Sequence, residues 1–313
     1  MKAKKVIILN HNGGRLANQL WNFVGIYAYC LEKGYRCANY CFFEYSRYFL
    51  APELNPNRTT KLLSFFYNSL KIIAGEKIAR KISRGVHEIY VRTVKFFYSR
   101  LLIDSAANDG GTIGNGASDF YNLPPTGDSK NLLKSWENDE RTEKIYFTGW
   151  RFRNPDGLKK FRPEIKRALE PKNNRAINDF IKNIRKPGVK LIGVHVRHGD
   201  YRIWNGGRYF FSFAEVRKIL DAYQDYENRT TKKPLLFLIC SDDRIDEAAL
   251  AGLNYLPGPG TEINDLFALA LTDLIIGSKS TYGPFAAYYG RIPFYTFSRT
   301  EINWAKSADI FLI

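Results

Sequence analysis

The sequence predicts an α/β protein of two domains. Three observations carry that expectation: short apolar runs that end in glycine-, hydroxyl- or charge-marked turns, helical spacing after those turns, and 313 residues with 45% hydrophobic content, enough for two cores. The amino-terminal α/β domain is expected over residues 1–185 and the carboxyl-terminal one over residues 186–313, with Lys186-Pro187-Gly188 as the linker signal ahead of a central strand.

Lys5-Val6-Ile7-Ile8-Leu9 reads as a buried strand, followed by a turn through Gly13 and Gly14 into a helix that starts near Leu16. Paired glycines let the backbone approach a ligand, and the free N–H groups of the helix start suit a phosphate or a sugar hydroxyl. The order Gly13-Gly14-Arg15-x-x-Asn18-Gln19 is neither the Gly-x-Gly-x-x-Gly pattern nor a P-loop, which argues against nicotinamide and ATP.

From Lys71 to Leu102 the chain carries Lys71, Lys77, Arg80, Lys81, Arg84, Arg92, Lys95 and Arg100 against Glu76 and Glu88, interleaved with Ile, Val, Phe and Tyr. This predicts a basic amphipathic helical stretch, either a solvated face over an ordinary core helix or a surface that docks on an anionic membrane. Asn108 to Ser118, with Pro124-Pro125 beyond, reads as a surface loop.

Leu191 to Val196 is an apolar strand that ends in Arg197-His198-Gly199-Asp200-Tyr201. In open α/β sheets ligands bind beyond the carboxyl ends of strands, so Arg197 is expected to face one. A guanidinium is always charged and its planar fork matches phosphate or carboxylate, which makes the ligand anionic, with Asp200 placed to orient either the arginine or the turn. Alone, the turn also fits an ordinary strand exit with a surface Arg–Asp pair. Phe237 to Cys240 then form a strand that ends at Ser241-Asp242-Asp243. Asn264 to Asp273 has helical spacing, Leu274 to Gly277 is a short strand, and Ser278-Lys279-Ser280-Thr281-Tyr282 opens a last helix. Ser280 and Thr281 are natural caps there, and capping and phosphate binding use the same N–H groups.

Together these segments resemble the fucosyltransferase superfamily, closest to the bacterial α-1,2-fucosyltransferases (glycosyltransferase family eleven), with motifs shared by the protein O-fucosyltransferases. The first turn, Gly13 to Gln19, and the central motif, His195 to Tyr201, carry the resemblance. Phe147 to Phe152 followed by Leu158 to Ile165, which resembles the family's basic helix, the Asp242-Asp243 strand end and the span Asp265 to Phe285 support it. The resemblance implies a GT-B fold, two Rossmann-like domains facing a central cleft. It also implies a GDP-fucose donor, inversion at the anomeric carbon, no cofactor and no metal. It assigns Arg197 to the β-phosphate, Asp265 to the guanine, Ser280 and Thr281 to the diphosphate, and Asn18 to the neighbourhood of the reacting carbon. Arg197, Asn18 and Asp200 are the catalytic expectations. Gly13, Gly14, Arg15, His195, Asp242 and Tyr282 join Arg197, Asp265, Ser280 and Thr281 as the donor-binding set. The chain departs from the pattern at His198, where a second arginine is usual, and at Pro284. Asp200, His11 and Asp156 are candidate general bases, and none is singled out.

No run of eighteen apolar residues occurs and Met1-Lys2-Ala3-Lys4 leads straight into a strand, so a cytoplasmic protein is expected, peripheral on a membrane at most. Cys30, Cys37, Cys41 and Cys240 lack Cys-x-x-Cys spacing and are expected to be free, buried and apolar. The net charge of +16 calls for an anionic partner. A GDP-sugar and a glycan or lipid-linked glycan acceptor fit the motifs, an anionic membrane surface fits residues 71–102, and nucleic acid is disfavoured because no recognised module accompanies the charge. Two other readings stay open: another nucleotide sugar on the same fold, and a non-catalytic basic membrane- or nucleic-acid-binding protein on a degenerate transferase scaffold.

Overall fold

The computed structural model describes residues 4–11, 14–98, 102–104, 143–149, 152 and 154–311. Gly13, Trp150, Arg151 and the expected loop at 108–118 lie outside the described residues. Backbone contacts separate two compact units, the first reaching Lys172 and the second resuming at Asn173.

The first unit is built on a parallel sheet of β1 (Lys5–Asn10), β2 (Arg36–Asn39), β3 (Leu102–Asp104) and β4 (Lys144–Thr148), in the order β2-β1-β4-β3. Val6, Ile7, Ile8 and Leu9 are all buried, the unbroken apolar pattern of a parallel strand covered on both faces. After the glycine turn, α1 (Leu16–Lys33) buries Leu20, Phe23, Val24 and Tyr29, and closes on Gly34 in the left-handed conformation. Asn57 caps α2 (Arg58–Ala74) by accepting the Thr60 N–H at 2.7 Å.

The expected single basic helix from Lys71 is two. Gly75, at φ 80°, stops α2, and α3 (Glu76–Tyr98) starts anew with Glu76 in its first turn. The expected helix over 158–165 is also divided, into α4 (Pro155–Lys160) and α5 (Arg162–Ala168). Pro163 has no N–H to give the carbonyl four residues back, so one helix cannot run through it.

The second unit holds β5 (Lys190–Val196), β6 (Leu235–Ser241), β7 (Tyr255–Pro257), β8 (Leu274–Gly277) and β9 (Phe294–Thr296), all parallel, in the order β7-β6-β5-β8-β9. Ile192, Val194, Phe237, Ile239 and Ile276 pack under Val216, Leu220 and Tyr223 of α7 (Phe213–Thr230), which opens on a Ser212–Glu215 capping box. On the other side come α8 (Glu262–Leu269) and α9 (Tyr282–Gly290). A Cβ on Gly193 would lie 2.8 Å from Leu269, so glycine is what lets the β5 backbone sit this close to α8.

The helix α6 (Asn174–Ile184) belongs to the second unit, which puts the division at 172/173 and ahead of 185/186. Its neighbours explain this: Arg185 donates to Asp273 Oδ1 at 2.9 Å and to the Leu271 carbonyl at 2.8 Å, and Asn173 donates to Asn264. Lys186-Pro187-Gly188 is therefore a turn inside this unit. No described helix is long and apolar enough to cross a membrane, and all four cysteines are buried and free.

Candidate functional site

Because every strand of the second sheet is parallel, all its carboxyl ends open on one edge. The chain winds outward from β5 through β6 to β7 on one side and through β8 to β9 on the other, so the winding reverses between β5 and β8. That is where ligands enter doubly wound sheets. Arg197 follows β5 and Ser278 follows β8. The Ser278 hydroxyl, buried, accepts the Arg197 N–H at 2.9 Å, and the Ser278 N–H donates to the His195 carbonyl at 2.9 Å.

The Arg197 guanidinium donates from Nε and Nη2 to the two oxygens of Asp200, both at 2.9 Å, and lies 4.7 Å from the Tyr201 ring. Nη1 makes no hydrogen bond among the described residues. Burial works against the charge, but the hydrogen bonds donated to Asp200, with Tyr201 and the carboxylates of Asp200 and Asp242 nearby, outweigh it and raise the pKa. The result is a fixed, oriented cation with one donor edge left for an anion.

Asp242, at the end of β6, holds the turn itself. Its Oδ1 accepts the His198 N–H at 2.8 Å and the Gly199 N–H at 3.2 Å, and a Cβ on Gly199 would meet Oδ2 at 2.8 Å. His198 explains the missing second arginine: the ring is buried between Phe210 and Phe213 and donates from Nε2 to the Phe211 carbonyl at 2.6 Å. This position is core, with no room for an exposed cation. Tyr201 donates to the Lys279 carbonyl at 2.7 Å and ties the motif to the β8 loop.

His195 stacks on the Tyr282 ring at 4.7 Å, and the Tyr282 hydroxyl donates to the Glu262 carbonyl at 2.6 Å. Of the two expected caps of α9, the Ser280 hydroxyl accepts the Tyr282 N–H at 3.2 Å, while Thr281 at the N-cap position makes no such bond with its side chain. Asp265, in the first turn of α8, is buried and accepts the Gly260 N–H at 2.8 Å. Burial pushes its carboxyl up to about 6, against the pull of the Gly260 and Thr261 N–H groups. His195, Arg197, Asp200, Asp242, Asp265, Ser280, Thr281 and Tyr282 thus all sit at the carboxyl edge of one sheet.

Gly14, Arg15 and Asn18 lie in the first unit, at the corresponding edge of its own sheet, after β1. Gly14 has φ 81°, and a Cβ there would stand 2.6 Å from Asn18 Cβ, so only glycine fits the turn. Its carbonyl accepts Arg84 Nη2 at 2.7 Å. Arg84 and Arg80 both donate to Glu44, whose carboxylate is fully buried, with Arg80 Nε at 3.1 Å. Sequence reasoning missed Glu44, Arg84 and Ser278. A lone carboxylate in the apolar run Tyr40 to Tyr45 was the available signal for Glu44.

The base candidates fare differently. Asp200 is engaged by Arg197. His11 is buried beside Asn22, with Asn22 Nδ2 3.0 Å from its Nδ1, and burial, His87 and Arg84 push its pKa down to about 3. Asp156 stands exposed in the first turn of α4.

Solved structures align with nearly the whole chain. A mutant of Arabidopsis thaliana FUT1 in complex with GDP aligns with a TM-score of 0.52 at 12% identity, covering 96% of this chain and 71% of that one. NodZ α-1,6-fucosyltransferase soaked with GDP-fucose aligns with a TM-score of 0.50 at 13% identity, covering 95% and 96%. NodZ co-crystallised with GDP gives 0.50 at 14%, covering 97% and 98%. The chain shares their GT-B fold. No protein-family profile and no curated protein matches the sequence, so the likeness is one of fold, carried at an identity where only the architecture transfers.

Proposed function

We propose that this chain is an inverting, metal-independent glycosyltransferase that moves L-fucose from GDP-fucose to a hydroxyl of a glycan or lipid-linked glycan. The observation that carries the reading is Arg197, a guanidinium locked by Asp200 at the point where the second sheet reverses its winding, with a donor edge to spare. Its support is the fold shared with proteins whose structures hold GDP or GDP-fucose. In this reading the acceptor oxygen bonds to the anomeric carbon from the face opposite GDP. The bond from that carbon to the β-phosphate oxygen breaks with its electron pair, GDP departs, and the acceptor proton passes to a general base. Charge grows on the β-phosphate as that bond breaks. Arg197, the hydroxyls of Ser280 and Thr281 and the N–H groups opening α9 are donors of the kind that stabilises it without a metal. Asp265 would read the guanine, and Asn18 with the glycine turn would face the reacting carbon.

The test is calorimetric titration, without added metal, of GDP, GDP-fucose, GDP-mannose and UDP, with Arg197→Ala as control. Selective guanine-nucleotide binding that the variant loses is the expected result. Equal binding of UDP, or none of any nucleotide, would sink the proposal. A preference for GDP-mannose would move the donor to another sugar on the same fold.

A further inference from the structure

Fourteen large hydrophobic side chains are exposed among the described residues, and eleven of them lie on α2 and α3. Their spacing is not scattered. On α2, Leu62, Phe66 and Ile73 recur at intervals of four and seven, and on α3 Ile78, Ile82 and Ile89 do the same, which places each set on one stripe of its helix. Ile73 is 81% exposed and Ile89 67%. Both helices also have a second apolar face, already used: Leu63, Tyr67 and Ala79 pack with Phe43, and Val91 and Val94 pack with Leu9. The core therefore does not explain the outer stripes, and an exposed apolar surface of this length marks an interaction site.

The charges beside the stripe identify the partner. Lys77, Lys81 and Arg92 follow the same helical period and fall on the flank adjoining Ile78, Ile82 and Ile89. The two carboxylates of the hairpin are both engaged, Glu76 by Lys71 and Arg80 at 2.6 Å each and Glu88 by Arg92 at 3.5 Å. Apolar side chains edged by long cations suit an interface in which the rings and branched chains enter the acyl boundary while the ammonium and guanidinium groups reach up to anionic headgroups.

We infer that the α2–α3 hairpin is a membrane-docking surface that lies in the plane of an anionic bilayer. α3 also holds the Gly14 carbonyl through Arg84, so docking ties the glycine turn to the bilayer surface through a single helix.

The test is co-sedimentation of the full chain with vesicles of phosphatidylcholine alone and with vesicles in which a third of the lipid is phosphatidylglycerol. Lys77→Glu/Lys81→Glu and, separately, Phe66→Ser/Ile73→Ser serve as variants, with thermal melts to verify folding and GDP titration to verify the second unit. Binding to the anionic vesicles that falls about tenfold or more in each double variant, with melts and GDP binding preserved, is the expected result. Unchanged binding in Phe66→Ser/Ile73→Ser would reduce the effect to surface charge and overturn the inference. So would the absence of vesicle binding, whether a dimer lost in that variant then shows a second copy covering the stripe or a lowered melting temperature shows the chain covering it itself.

Discussion

Arg197 and Asp265 do opposite electrostatic work with the same tool, burial. Arg197 keeps its charge because Asp200 grips both Nε and Nη2. On the proposed function, its replacement by alanine is expected to lower fucosyl transfer on the order of a hundredfold or more. Lysine should not restore it, since a point charge cannot hold Asp200 and a phosphate in one plane. Steady-state transfer rates of the two variants measure this. Asp265 instead holds a proton more tightly when folded, near pH 6, than at its ordinary 3.8. A carboxyl raised in this way contributes stability that is complete below about pH 4 and lost as the pH climbs through 6. Asp265→Asn is therefore expected to stabilise the unliganded protein at pH 8, by up to about 3 kcal/mol, and, on the proposed function, to weaken GDP binding. Melts and titrations at pH 5 and pH 8 check both halves, and GDP affinity of the unaltered protein should rise from pH 5 to pH 8.

At the scale of elements, the structure couples the glycine turn after β1 to α3 through Glu44. That carboxylate is buried and answers two guanidinium groups, one of which also holds the Gly14 carbonyl. Removing its charge leaves Arg84 without a carboxylate, while Arg80 keeps Glu76, so Glu44→Gln is expected to cost about 1–3 kcal/mol in a denaturant melt. Where enough protein stays folded, GDP binding should change little, because Arg197, Asp265, Ser280 and Thr281, the residues proposed to hold the guanine and the diphosphate, belong to the second unit. An equal loss of GDP affinity would contradict that division of labour. The same region shows where element boundaries were legible and missed. Ala74-Gly75-Glu76 is a stop followed by a start, a glycine and then an acidic first turn, yet the continuous basic and apolar pattern read through it as one helix. The strand at Leu274–Gly277 and the helix start at Leu16 were legible because each is bounded by a glycine or a turn.

For the whole molecule, two buried histidines set the acid limb of stability. His11 is held down to about 3 and His87 to about 4, chiefly by burial. An imidazole depressed in the folded state contributes stability that is present above its ordinary pKa near 6.5 and is lost as the pH falls toward those values, since the unfolded chain takes up protons first. Each group is expected to remove up to about 1.4 kcal/mol per pH unit between pH 6 and pH 4. Asp265 works in the opposite direction over part of that range, but one carboxyl does not offset two imidazoles. Urea melts across pH 4 to 7 should show falling stability, with a shallower slope in His87→Phe; a flat profile would refute it.

What the sequence determined by itself is local and chemical: parallel strands as unbroken apolar runs, the turns after them, and the residue types at those turns, Gly14 and Asn18 after β1, Arg197 and Asp200 after β5, Ser280 and Thr281 after β8. The tertiary structure decided what touches what. Asp242 reaches the His198 and Gly199 N–H groups from a different strand, Ser278 meets Arg197 across 81 positions, and Arg84 meets Gly14 across 70. It also decided that His198 is core, that α6 goes with the second unit, and that the apolar stripes of α2 and α3 have no covering partner among the described residues. The physical reason is that a turn is specified by neighbours in the chain, through backbone dihedrals and caps, whereas a buried charge or an exposed face is specified by groups brought together only once the sheets have formed.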